Sequence, residues 1–396
     1  MEVNSAMTWQ EVNQLVIRWR RILHRRPELS HQEFATTRFI QRVLQPMREL
    51  HIERVSPTGL IARLSGATPG PVIALRADID ALPLAEASGR PWSSRHAGIM
   101  HACGHDAHTA MLLGALHMLY ARRKQLAGEV IFIFQAGEEM PPGGARDLVR
   151  SGALNGADCF IALHLDPLLP TGQIRIKPGI ATAYRDTFDI TVNGRGGHSA
   201  MPHQCRDPLV ASAALVGAVQ TIVAREISPQ QAAVISICSL VCGDGTIARL
   251  PDFAQLCGTV RCFSLPVKQT IRSAMARICQ HIGMAYGCTA EVKFAEWDYQ
   301  AINNDPGLSQ RLITLARKIP GITQVREDTQ PASVGEDFSE YQQLAPVCFG
   351  WLGVGANSAD NAPLHSIHFD PDEEAFLAGV RYYVEAVNEL SGSGAI

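Results

Sequence analysis

The sequence predicts an α/β protein of two domains, one inserted into the other, and three observations carry that expectation. Strand and helix patterns alternate from residue 71 to about 164, the signature of a parallel sheet. Between 184 and 297 the order becomes β-α-β-β-α-β, the ferredoxin-like plan, with two helices on one face of an antiparallel sheet. After Trp297 the α/β pattern resumes, so metal-competent residues stand on both sides of the insert. The expected limits are 1–183 and 298–396 for a discontinuous first domain and 184–297 for the inserted one. At 396 residues the chain is long enough for two cores.

Taken in order, residues 8–50 read as two helices broken near Arg26-Pro27-Glu28, where proline and its predecessor resist helical continuation. A strand at 71–75 leads into Arg76-Ala77-Asp78-Ile79-Asp80. A helix over 107–123 stops before Gly128, and an apolar strand at 129–134 runs into Gln135-Ala136-Gly137-Glu138-Glu139. A helix at 143–151 precedes a short apolar strand, 159–164, that ends in His164. In the insert, strands are expected at 187–192, 233–241, 253–262 and 289–297, and helices at 207–226 and 267–286. A helix over 305–318, a strand around 347–349, His365 and a last helix at 373–390 complete the chain.

The most informative stretch is Met100-His101-Ala102-Cys103-Gly104-His105-Asp106-Ala107-His108-Thr109, which crowds a thiol, three imidazoles and a carboxylate into ten positions. Gly104 lets the backbone fold tightly, so Cys103 and His105 can converge on one ion. The plainer alternative is a polar turn that caps the next helix through Asp106. A metal site needs further His and Glu ligands, and the chain supplies Glu138-Glu139, His164 and His365. Of the adjacent carboxylates, one can bind metal while its neighbour acts as a base. Ligands at the carboxyl ends of parallel strands are where open α/β sheets put their sites. Asp78 and Asp80 project to one side of an extended segment. They read equally as partners that fix a ligand histidine's tautomer or as strand-end caps.

Hydrophobic content of 46% with 18% charged residues describes a compact soluble protein, and a net charge of −3 gives no reason to invoke nucleic acid or an anionic membrane. The basic cluster from Arg18 to Arg26 alternates with apolar residues, as on an amphipathic surface helix. Residues 1–10 show no secretory pattern, so a cytoplasmic protein with mostly reduced cysteines is expected. The most apolar helical stretch, 209–224, is about 16 residues long, which is too short to span a bilayer.

The chain resembles the two-domain dimetal amidohydrolases that include aminoacylases and glutamate carboxypeptidases, most of all the branch of hippurate and indole-acetyl-amino-acid hydrolases. The segments that carry this are Leu23-His24-Arg25-Arg26-Pro27-Glu28-Leu29-Ser30, residues 76–83, 101–109 and 135–139, Gly196-Gly197-His198-Ser199-Ala200-Met201-Pro202-His203, Glu336-Asp337-Phe338-Ser339 and Leu364-His365-Ser366. The resemblance implies a zinc-peptidase-like catalytic α/β domain with an inserted lid and dimerisation domain. It also implies two divalent metal ions (Zn, Mn or Co) held by Cys103, His105, Glu139, His164 and His365, with Glu138 as general base. His198, which alone could be an exposed turn histidine, would reach a neighbouring subunit's site and bond the reacting carbonyl. Arg261 would grip a free carboxylate, and His203 and Arg249 are also expected at the substrate.

Three departures stand out. Where the family reads Asn-Val-Ile-Pro, this chain has Ala248-Arg249-Leu250-Pro251, so Arg249 is expected to replace a missing amide. Isoleucine follows His365-Ser366 where proline is usual, and Ala136 takes another common proline position. The implied reaction is hydrolysis of N-acyl amino acids by a homodimer or higher homo-oligomer. A dipeptidase or carboxypeptidase with the same site is one alternative. A non-catalytic metal-stabilised protein is another, against which stands the cost of an uncoordinated Glu138 beside Glu139.

Overall fold

The structure is a computed structural model that describes residues 7–327, 330–356 and 361–392. It divides into two compact units. One comprises described residues within 1–181, 302–330 and 337–396; the other comprises 182–301 with 331–336. The stretch 331–336, which the sequence reading left in the third segment, joins the second unit through a parallel bridge between Thr182 and Ala332. The Ala183 N–H also donates to the Val334 carbonyl at 3.1 Å.

The first unit is built on an eight-stranded sheet whose four central strands, Ala127–Gln135, Thr68–Asp78, Cys159–Pro170 and Val347–Gly355, are parallel neighbours in that order. Their near-continuous apolar runs suit strands covered on both faces. The sequence reading missed four flanking strands. Leu60–Ser65 and His51–Glu53 add antiparallel at one edge. Gln173–Ile176 adds antiparallel at the other and pairs in parallel with Gln324–Arg326. All are six residues or shorter, too brief for periodicity to declare them. The strand expected to end at His164 continues to Pro170, because its pairing with Val347–Gly355 extends past Asp166. His164 therefore sits inside the strand.

The helix His105–Ala121 is apolar on nearly all sides and almost wholly buried. The helices Trp9–His24 and Phe376–Ser391 pack against it. Trp9–His24 opens with a capping box between Thr8 and Glu11 and ends before Pro27. Its Arg20 Nε lies 2.8 Å from Asp106 Oδ2, both side chains fully buried, which ties the first helix to the turn that starts the buried one.

The second unit is a four-stranded antiparallel sheet in the order Ala233–Cys242, Phe253–Cys262, Tyr184–Asn193, Thr289–Phe294. The helices Pro208–Arg225 and Leu265–Ala285 supply its core with Leu215, Val219, Ile222, Ile271 and Met275. Pro208–Arg225 runs 18 residues, within the expected 207–226 and two longer than its most apolar stretch, and is long and apolar enough by length and composition to cross a membrane. Its Ala211, Leu215, Val219 and Ile222 face is instead buried in the core of this unit.

His117, on the buried helix, packs at a tilt against Trp19 with ring centroids 4.9 Å apart and donates from Nδ1 to the Leu113 carbonyl. Burial pushes its pKa down to about 4. The unfolded imidazole titrates near 6.5, so protonation favours unfolding. The stability that neutral His117 confers is complete above about pH 6.5 and is lost as pH falls from there towards 4, up to about 3 kcal/mol. Urea unfolding at pH 7.5 and pH 5 should show a smaller loss for His117→Leu than for the wild type; equal losses would count against this assignment.

Candidate metal centre

The side chains of interest in the first unit converge where three parallel strands deliver them. Thr68–Asp78 ends in Asp78, with Asp80 two residues on; Ala127–Gln135 runs out into Glu138 and Glu139; and Cys159–Pro170 carries His164. Gly104 takes φ +86° at the N-terminus of the buried helix, a conformation open to glycine, and a Cβ there would come within 2.7 Å of Leu165 Cδ1. This tight turn sets Cys103 and His105 side by side. His365 arrives on a loop anchored by its own N–H to the Ala102 carbonyl at 2.9 Å, with φ +62°.

Cys103 Sγ lies 3.4 Å from His164 Nε2 and 3.3 Å from His365 Nε2, and His365 Nε2 lies 3.2 Å from Glu139 Oε1. Ligands bonded at about 2.0–2.3 Å around a tetrahedral ion sit about 3.5 Å apart, so these spacings suit a shared cation. His105 Nε2 and Glu139 Oε1 are buried, 4.0 Å apart, and neither has a hydrogen-bond partner among the described residues. Two orphaned polar atoms aimed at one space are what a divalent ion would satisfy. Glu138, almost fully buried, belongs to the same cluster as His105 and Glu139.

The electrostatics point the same way. Burial alone would lower the pKa of His105, but Asp78, Asp80 and Glu139 outweigh it and raise it to about 10, so this corner attracts a cation. Burial raises the Cys103 thiol well above its ordinary value, with Glu139, Glu138 and Asp78 adding to the effect. A thiolate there needs a metal to form. His164 is held neutral by burial and by His108, as a ligand imidazole must be.

Asp78 and Asp80 both bond histidines. His105 Nδ1 donates to Asp80 Oδ1 at 2.9 Å, which leaves Nε2 free for an ion. His108 Nδ1 donates to Asp78 Oδ1 at 2.6 Å, but its Nε2 already accepts the Leu165 N–H at 3.0 Å. His108 therefore braces the site, although it clusters with Asp78, His105 and His164. Burial works against the charge of Asp78, yet Arg76, His105 and His108 hold its carboxyl well below the usual range.

Sequence reasoning missed the supports. Arg76 donates to Asp78 Oδ2 at 2.7 Å, to Asp337 Oδ1 at 2.9 Å and to Gln135 Oε1 at 2.9 Å. Glu33, fully buried, accepts the Gly137 N–H at 2.8 Å and so fixes the turn before Glu138. Arg76 and Asp337 lay inside quoted motifs, but nothing local pairs them. Glu33 stood three residues beyond one.

In the second unit, His198 is exposed and pairs with Arg249 in a two-stranded ribbon. The Ala200 N–H donates to His198 Nδ1 at 3.1 Å, which leaves the proton on Nε2. Arg249 is also exposed and ion-paired with Asp252, which accepts the Gly196 N–H at 2.8 Å. His203 lies on an exposed 3-10 turn, Pro202–Gln204. Arg261 is half-buried on the sheet.

Comparison with known proteins adds the family. Residues 74–389 match Peptidase family M20/M25/M40. The chain is 38% identical over 372 residues to N-acetylcysteine deacetylase from Bacillus subtilis, covering 93% of this chain and 95% of that one. It is 36% identical over 378 residues to thermostable carboxypeptidase 2 from Saccharolobus solfataricus, covering 93% and 94%. A Bacillus subtilis crystal structure described as a dinuclear metal binding peptidase from the M20 family superposes with a TM-score of 0.83 at 34% identity, covering 97% of this chain and all of that one. The buried Cys, His and Glu cluster and these matches together establish that the chain belongs to Peptidase family M20/M25/M40 and is a metal-dependent amide hydrolase.

Proposed function

We propose that the protein hydrolyses the amide bond of N-acyl amino acids, releasing a carboxylic acid and a free amino acid. The single observation that carries this is the pair of buried polar atoms without a hydrogen-bond partner among the described residues, His105 Nε2 and Glu139 Oε1, beside Cys103, His164 and His365, with an extra buried carboxylate, Glu138, in the same cluster. Those five residues are the proposed ligands of two divalent ions. The relative described as dinuclear supports the number. Cys103 Sγ lies within 3.4 Å of His164 Nε2 and 3.3 Å of His365 Nε2, so a thiolate there would hold an ion together with either imidazole. Thiolate with imidazole favours zinc; carboxylate also accepts manganese or cobalt. When bound, such ions lower the pKa of water from 15.7 to about 7 and polarise a carbonyl.

This chain's residues do the rest. Glu138 accepts the proton of the attacking water and passes it to the departing amine, a role worth roughly 10²–10⁴-fold. Asp80 keeps His105 in one tautomer, and Arg76 with Asp78 holds His108 behind it. His198, protonated on Nε2, is suited to donate to the developing oxyanion, and Arg261 to hold the carboxylate of the amino-acid half. Arg249 and His203 complete the substrate contacts.

The second unit supports self-association. Its edge strand Ala233–Cys242 exposes Val234, Leu240 and Val241, and helix Pro208–Arg225 exposes Leu209 and Val210. An apolar, unpaired edge is a surface for a second copy, and a homodimer through it is the proposed assembly. Ten cysteines, none in a disulfide, suit a reducing cytoplasm. The carboxypeptidase relative keeps a peptide-cleaving reading in play, and a panel of benzoyl-glycine, acetyl-methionine and unblocked dipeptides decides between them.

Glu138→Gln should retain wild-type metal content while kcat falls by about 10²–10⁴-fold. Wild-type turnover in that variant would remove Glu138 from the base role. If His198 acts across subunits, inactive His198→Ala and Glu138→Gln chains should regain part of the activity after verified subunit exchange. Absence of recovery would place His198 in its own subunit's chemistry or outside it.

A further inference from the structure

On the strands Tyr184–Asn193 and Phe253–Cys262, Arg185 and Arg261 stand directly opposite each other. Opposed residues in an antiparallel pair share a face. Their neighbours Asp186, Phe188, Val260 and Cys262 are buried on the helix side, so the two arginines project from the helix-free side of the sheet. Like charges placed directly opposite each other destabilise an antiparallel pair.

The surroundings fix this pair without neutralising it. Asp298, nearly fully buried, lies 3.3 Å from Arg185 Nε and receives the Tyr299 N–H at 3.1 Å. It answers one of the two positive charges. The Arg185 guanidinium lies 5.4 Å from the Tyr299 ring centroid. Gly335 leaves the space for both, since a Cβ there would come 3.0 Å from Tyr299 Cδ2 and 3.2 Å from Arg185 Cδ. Arg261 spends one donor on the Val260 carbonyl, 3.1 Å away. Burial and the neighbouring Arg185 both lower the pKa of Arg261, the mark of a cation in want of an anion.

We propose that Arg185 is the second arm of the substrate carboxylate site, gripping with Arg261 the free carboxylate of an N-acyl amino acid. The inference rests on the proposed function and adds a specificity-determining residue to it. Two guanidinium forks offer donors in the planar arrangement that a carboxylate's two oxygens accept, and a carboxylate there would answer positive charge that Asp298 leaves. A substrate whose carboxylate is capped as an amide cannot do so. The site thereby selects for a free carboxylate on the amino-acid half.

The test compares N-acetyl-methionine with its C-terminal amide as substrates for the wild type, Arg185→Ala, Arg185→Lys and Arg261→Ala, each with metal content and melting temperature checked. Arg185→Ala should raise KM for N-acetyl-methionine about 10-fold or more, change kcat little, and leave the amide's kcat/KM as it was. Arg185→Lys, which keeps the charge and loses the fork, should fall between. An unchanged KM in both Arg185 variants, with KM raised in Arg261→Ala, would overturn the proposal. Calorimetric binding of N-acetyl-methionine separates it from the reaction itself. Binding by the wild type that weakens in the Arg185 variants, with no hydrolysis by any form, keeps the carboxylate site and sinks the hydrolase reading. Binding that ignores Arg185 sinks the site.

Discussion

The carboxylate of Asp80 is the constraint on which the site depends. Its Oδ1 receives His105 Nδ1, and its Oδ2 receives both the Glu139 N–H at 2.9 Å and the Ser30 hydroxyl at 2.7 Å. One buried group thus locks the start of the buried helix, the turn after Ala127–Gln135 and the connection after the first helix. Burial opposes its charge, but the hydrogen bond and charge of His105 outweigh that penalty and hold its pKa below the ordinary value. The interior tolerates this density of negative charge because cations are matched to it: Arg76 to Asp78 and Asp337, Arg20 to Asp106. The buried atoms left without a hydrogen-bond partner among the described residues, His105 Nε2 and Glu139 Oε1, mark the proposed place of an ion.

The residues proposed to bear the chemistry were legible because that chemistry is local. Cys103 and His105 flank one glycine; Glu138 and Glu139 are adjacent; and the strand ahead of His164 is plainly apolar. The central strands and both helices of the second unit were legible for the same reason, since each is a long run with one clear period. Interactions closed over long sequence distances were not. Arg76 meets Asp337 across 261 positions, and no pattern around either announces the other. The part His108 plays was not legible either, since it follows from the Leu165 N–H that occupies its Nε2. Arg185 carried no signal, because its meaning comes from the strand register that sets it opposite Arg261.

The two units use charge differently. In the first, negative groups are buried and nearly balanced, leaving room for a cation. In the second, two arginines share one aspartate, leaving room for an anion. The proposed substrate class, an acyl amino acid, carries both a carbonyl oxygen that a cation polarises and a carboxylate that an arginine pair accepts. The tautomer of His198, set by the Ala200 N–H, leaves it the Nε2 donor that its proposed role calls for.

The most direct test of the central claim is the metal content of purified, reconstituted protein by mass spectrometry, for the wild type and for Cys103→Ala. The account predicts about two divalent ions per wild-type chain and at least one fewer in the variant, since Cys103 stands between His164 and His365. A wild type that stays metal-free after exposure to zinc, manganese and cobalt, or a Cys103→Ala chain that keeps its full complement, would contradict it.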